Sequence, residues 1–263
     1  MTKRLLPHVA LLAAVLALAG GPSAIADSIL GDSGPNELTG TTGPDGLWGE
    51  EGDDKLVGLA ANDYLEAGSG NDTVDAGPGD DFATGGSGDD EMTMGDGLDA
   101  AYAGPGNDSL LGEDDADVLL GQIGDDRIFG GPGSDRLYTG TGDDDFADGG
   151  TGNDQIFADS GTKRLLGDAG RDKITAQGGA TTDVMGGSGD DRISLSSGGD
   201  KVNPGSGRDR VATAAGDDTI EAVDGRRDVI RCGKGSDTVR ADKIDALVDC
   251  EAITRGTPKK KRR

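Results

Sequence analysis

Large apolar side chains stand nearly alone along much of this chain, at intervals of nine residues. Ile29, Leu38, Leu47, Leu56, Leu65, Val74, Ala83, Met92, Ala101, Leu110, Leu119, Ile128, Leu137 and Phe146 recur at that spacing, mostly between polar neighbours. A polar-apolar-polar triplet is the pattern of a short strand with one buried side chain. Between the triplets lie segments of the form Gly-Gly-x-Gly-x-Asp. Glycine permits positive φ and an Asp side chain bonds nearby backbone, so each segment predicts a turn. Nine residues then make one turn and one strand, and two such units close a coil that stacks on the next. The prediction is an all-β fold, a parallel β-roll or β-solenoid with two nine-residue repeats per coil.

The polar positions keep the same register. Stepping by nine from Asp27 reaches Asn36, Asp45, Asp54 and so on to Asp144, and thirteen of those fourteen positions are Asp. Glycine fills eleven of the fourteen places two residues earlier, with Ala61 and Asp115 among the exceptions. The phase slips by one residue after Asp144, again near Thr181–Asp183, and once more before Asp228 and Asp237.

Composition alone would leave two readings. There are 49 Gly among 263 residues, 3% aromatics, and 50 acidic against 25 basic residues. That describes either a disordered acidic chain or a repeat fold that needs counter-ions. A register held over so many units favours the repeat. The acidic balance points to cations as partners and away from nucleic acid. The one histidine, His8, falls in the N-terminal leader, so the remainder offers no imidazole for general-base chemistry or metal ligation.

Stacking puts residues eighteen apart directly over one another, at the spacing of strands in a sheet, ~4.8 Å. One column should hold Asp54, Asp72, Asp90, Asp108, Asp126 and Asp144, the other Asp45, Asp63, Asp81, Asp99, Asp117 and Asp135. Two carboxylates ~5 Å apart repel by roughly 3 kcal/mol at an effective dielectric of 20. Single Leu or Val contacts do not offset that along two columns, so cations are expected between the rungs. Carboxylates and turn carbonyls are hard oxygen ligands and suit multiple Ca²⁺ ions, whereas Zn²⁺ prefers Cys or His. Past the slips, Asp154, Asp172, Asp191, Asp200, Asp209, Asp218 and Asp237 complete the candidate ligands. Asn36 weakens one rung and Lys163 replaces the Asp of another, where an ammonium can stand in for the ion.

Gly85-Gly86-Ser87-Gly88-Asp89-Asp90, Gly130-Gly131-Pro132-Gly133-Ser134-Asp135, Gly149-Gly150-Thr151-Gly152-Asn153-Asp154 and Gly186-Gly187-Ser188-Gly189-Asp190-Asp191 resemble the hemolysin-type (RTX) calcium-binding nonapeptide. The resemblance implies a parallel β-roll with Ca²⁺ between stacked turns, carboxylates from the aspartates and carbonyls from the glycines. The toxin, protease or lipase domains that often precede such repeats are absent from this sequence.

Residues 1–26 read as a signal peptide, with Lys3 and Arg4, an apolar run from Val9 to Ala19, and Ala24-Ile25-Ala26 as cleavage site. The alternative, a retained membrane anchor, has too short an apolar run. A secreted, extracellular solenoid is expected over 27–254, with no further transmembrane segment. A disordered basic tail is expected over 255–263, able to touch an anionic cell-envelope polymer. Cys232 and Cys250 lie eighteen apart, one coil, and are expected to form a disulfide that clips a C-terminal cap at about 228–254. No catalytic constellation emerges. The leading reading is a secreted calcium-binding repeat protein, not an enzyme, whose folding depends on calcium and which acid should undo as chelation does. The alternatives are a structural or adhesive envelope solenoid and, behind it, a polysaccharide-active enzyme.

Overall fold

The computed structural model describes residues 27–256; the expected signal peptide, 1–26, and residues 257–263 lie outside the described residues. Every pairing within the sheets is parallel, and the strands form two sheets of thirteen and fourteen. The chain alternates between them, so consecutive strands face each other across the core while hydrogen bonding to strands one coil away. Leu47 pairs with Leu65 and Leu65 with Ala83 in the first sheet. Leu56 pairs with Val74 and Val74 with Met92 in the second. The fold is a β-solenoid, and the expected β-roll architecture is present.

The core is thin because each strand contributes little to it. The apolar residue two places after the rung points inward, as at Leu47, Leu119, Ile156 and Ile230, all fully buried. Small residues such as Ala67, Ala103 and Ala158 fill the corners. At the turns, backbones of successive coils stack too closely for side chains. Gly88 has φ +127°, and a Cβ there would lie 1.8 Å from the carbonyl oxygen of Gly70 in the coil before. Ala61 and Asp115, where the repeat departs from glycine, hold the same left-handed region at φ 75° and 78°. The backbone conformation is thus kept at a steric cost of ~1–2 kcal/mol each.

Register explains the slips. Spacing is eighteen from Asp125 to Asp143, where the Asp143 N–H donates to Asp125 Oδ1. It becomes nineteen from Asp126 to Asp145. The extra residue is therefore Asp144, and Asp145 takes the rung that counting by nine assigned to Asp144. A one-residue shift exchanges the two faces of a strand. Accordingly Ala147 is buried in the core, while Phe146, expected inside, is only half-buried and pairs its ring with Phe129 at 5.3 Å.

The C-terminal end is closed covalently. Cys232 and Cys250 form a disulfide with Cα atoms 5.2 Å apart. The last strand, Ala252–Arg255, pairs with Thr238–Ala241. The last paired strand of the solenoid thus extends to Arg255.

Two substitutions test this account of the turns. Ala61→Gly relieves the left-handed strain and should raise stability by about 1 kcal/mol. Gly88→Ala meets the Gly70 carbonyl and should destabilise. Denaturant midpoints in saturating calcium measure both.

Candidate metal centre

Each rung aspartate is held by the coil before it. The backbone N–H of Asp54 donates to Asp72 Oδ1 at 2.7 Å, that of Asp72 to Asp90 at 2.8 Å, and that of Asp90 to Asp108 at 2.8 Å. On the other edge Asp45, Asp63, Asp81 and Asp99 donate in the same way to Asp63, Asp81, Asp99 and Asp117. Both columns continue beyond the slips, through Asp135 to Asp154, Asp154 to Asp172, Asp191 to Asp209, and Asp200 to Asp218. One carboxylate oxygen is thereby fixed along the stack, and the other is turned toward the glycine five residues earlier. A Cβ on Gly85 would stand 2.3 Å from Asp90 Oδ2 and 2.8 Å from the carbonyl oxygen of Ala103. On Gly58 it would stand 2.6 Å from Asp63 Oδ2 and 2.4 Å from the Ala76 carbonyl. A carboxylate oxygen and a backbone carbonyl thus converge on a cleft that glycine keeps open.

That second oxygen has no donor. Among the described residues, Oδ2 is buried and unpartnered at Asp54, Asp63, Asp72, Asp81, Asp90, Asp99, Asp108, Asp117, Asp126, Asp135, Asp154, Asp172, Asp191, Asp200, Asp209, Asp218, Asp228 and Asp237. A buried anionic oxygen with no donor is costly. Burial is the main cause that pushes up carboxyls such as those of Asp63, Asp81, Asp90, Asp108, Asp117 and Asp126, opposed by the backbone N–H of the rung before and reinforced by neighbouring carboxylates. Asp81 and Asp117 rise to about 8, Asp90 and Asp126 to about 7, and Asp63 and Asp108 to about 6.

Lys163 shows what such an oxygen accepts. Its side chain is fully buried, and its ammonium pairs with Asp145 Oδ2 and donates to the carbonyl oxygen of Gly142 at 3.0 Å. A cation from the protein itself bridges a rung carboxylate and a turn carbonyl. Asp145 is the rung whose Oδ2 the column leaves satisfied. The donors at the other rungs are of the same kind, so the residues fit a cation. Among the described residues, no three carboxylate, thiolate or imidazole side chains converge as one ligand set. Turn carbonyls must therefore supply most of the shell, which suits Ca²⁺, with its six to eight oxygens, better than Mg²⁺.

The ends behave differently. Asp45 Oδ2 accepts the Thr41 hydroxyl at 2.9 Å and the Thr41 N–H. Asp245 accepts the N–H groups of Asp228 and Asp242 on its two oxygens. Asn36 takes the Asp32 N–H on its side chain. The outermost rungs are satisfied by the protein, and the orphaned oxygens belong to the interior coils. Asp228 sits among these, although it was not among the candidate ligands; its place in the register after the last slip was the available signal. Thr182, buried on the rung after Lys163, interrupts the same column and donates its N–H to Asp200 Oδ1.

A family described as RTX calcium-binding nonapeptide repeat (4 copies) matches in overlapping stretches, from 30–65 through 139–174 and from 178–211 to 204–239. Comparison with curated proteins gave no match. Among the described residues, no helix is long and apolar enough to cross a membrane.

The pKa shifts set a pH response for the metal-free chain. Carboxyls raised above their ordinary 3.8 bind more protons in the fold than in the unfolded chain. Their contribution is full below about 4 and is lost as pH rises through 6 to 8. Acid both competes with the cation and neutralises the same oxygens. With a chelator present, the far-UV circular dichroism of the chain should gain β-signal as pH is lowered from 8 to 5. A signal that falls or stays flat counts against the assignment.

Proposed function

The chain belongs to the RTX calcium-binding nonapeptide repeat family, and on that premise we propose that it is a secreted, non-enzymatic repeat protein whose folding is driven by Ca²⁺ bound between its stacked coils. The observation that carries this reading is the row of orphaned Oδ2 atoms on both edges, together with the Lys163 ammonium at the corresponding place on Asp145. Rung carboxylates from Asp54 to Asp237 and the carbonyls of the glycine-rich turns would hold the ions. Bound calcium supplies positive charge to oxygens that otherwise repel one another. The chain's part is to pin Oδ1, bury Oδ2 and exclude side chains from the turn.

Export is supported by the sequence of residues 1–26, a basic start followed by an apolar run, and by the match between such sites and an extracellular calcium supply. Extracellular modules bind Ca²⁺ with Kd of about 10⁻⁴–10⁻³ M. A chain with −25 formal charge has no other large source of compensation. Coupled folding follows, because the interior rungs are satisfied only when the ion is present.

Calorimetric titration of the purified chain at pH 8 should show uptake of several Ca²⁺ per molecule, accompanied by a rise in β-signal. An unchanged β-rich spectrum after full chelation at that pH would refute the coupling. Asp108→Asn, in the middle of a column, should lower the number of ions bound. Lys163→Asp restores the consensus rung and should add one ion, read directly from the titration stoichiometry.

A further inference from the structure

The outward face of the thirteen-stranded sheet is unlike the rest of the molecule. From Ala100 to Val248 none of its outward strand positions carries a carboxylate, in a chain with 50 acidic residues. Over the same stretch the other sheet shows Asp148, Asp183 and Glu221 on its outward side. Both sheets carry basic residues, but on the acid-free face they stand without interspersed carboxylates. Of the 18 between positions 27 and 256, only Lys55 precedes Arg127. Lys173, Arg192 and Arg210 occupy three consecutive rungs in direct register. Arg136 lies two rungs before Lys173, and Arg231 lies in the strand after Arg210.

The fold gives no reason for this column. Like charges placed opposite one another on neighbouring strands are destabilising. Among the described residues, Arg192, Arg210 and Arg231 form no ion pair; the two that exist are Lys163–Asp145 and Arg240–Glu221. The three arginines are exposed and rim a shallow groove of about 330 Å³ floored by Ser194, Ala212 and Val229.

We propose that this face binds a linear acidic polysaccharide lying along the solenoid axis, with its carboxylates paired to Lys173, Arg192, Arg210 and Arg231. The parallel ladder sets Lys173, Arg192 and Arg210 in one straight row at the strand repeat, ~4.8 Å. Arg231 follows on the next strand, displaced two residues along it beside Ala212. Such a row answers a repeating linear anion better than a single small one, and guanidinium matches carboxylate in a two-point fork. Nucleic acid fits less well. Single strands need free aromatic faces for their bases. Here Tyr138 and Phe157 cover each other, 5.0 Å apart and 11° from parallel, and Lys173 caps Phe157 at 5.1 Å. A second copy of this acidic chain is the other candidate anion, and the test separates it.

The probe is soluble oligogalacturonate, titrated against the full chain in saturating calcium. Circular dichroism in the same buffer establishes that the fold is present, so a failure of calcium-driven folding is seen separately from a failure to bind sugar. Wild type should bind, and affinity should fall as salt rises. Arg192→Gln with Arg210→Gln should weaken binding about tenfold or more, the equivalent of ~1.4 kcal/mol. Arg231→Gln alone provides a milder variant should the pair misfold. Lys55→Gln, on the other sheet, should leave binding unchanged. The proposal is overturned by no binding to wild type, by equal binding of the arginine variants, or by a single-stranded oligonucleotide binding as tightly. It is also overturned if sedimentation shows wild-type self-association that the double variant abolishes.

Discussion

The hydrogen bond from a rung's backbone N–H to Oδ1 of the aspartate one coil later is the contact on which the structure depends. It joins coils outside the sheets, repeats on both edges, and requires a short acidic side chain at each step. It also creates the central difficulty. Fixing one oxygen along the stack leaves the other buried, aimed at a glycine and at a backbone carbonyl, with nothing to donate to it. Because the coils repeat, the same unmet requirement recurs up both columns. A few buried Leu or Ile side chains per coil, each worth ~1.5–3 kcal/mol, do not outweigh a column of uncompensated carboxylates.

The exceptions clarify the rule. At Asp45 a threonine supplies the missing donors, at Asp245 the backbone amide of Asp242 does so, and at Asp145 the buried ammonium of Lys163 does. Each is a way of closing a rung without an outside ion, and two of the three lie where the stack ends and no further coil can contribute. The interior has no such device except at Lys163, where one column is interrupted while the opposite column continues through Asp154 and Asp172. The two edges of the solenoid are therefore not equivalent in their need for metal.

Much of this was legible in the sequence, because the repeat is a physical ruler: spacing of nine locates turn, rung and core residue together. What escaped were features that depend on local register or on chain ends. Asp143, Asp144 and Asp145 are chemically identical, so spacing alone could not tell which was the extra residue, and the choice also decided whether Phe146 or Ala147 pointed inward. Thr41 reads as an ordinary turn residue until the stack ends beside it. The acid-free face was invisible for another reason. Outward positions obey no consensus, and Lys173, Arg192 and Arg210 become neighbours only once strands eighteen or nineteen residues apart are laid side by side.

The disulfide between Cys232 and Cys250 holds one turn of the spiral closed whatever the state of the other coils. Its loop-closure entropy is already spent in the unfolded ensemble. Folding in such quasi-linear proteins can nucleate at any unit and propagate to its neighbours. The covalently tied coil, with its ends already joined, is the unit that costs least to close, and neighbours can wind onto it toward Asp27. The opposite end has no covalent tie and meets the next coil through hydrogen bonds such as that from the Asp27 N–H to Asp45 Oδ1.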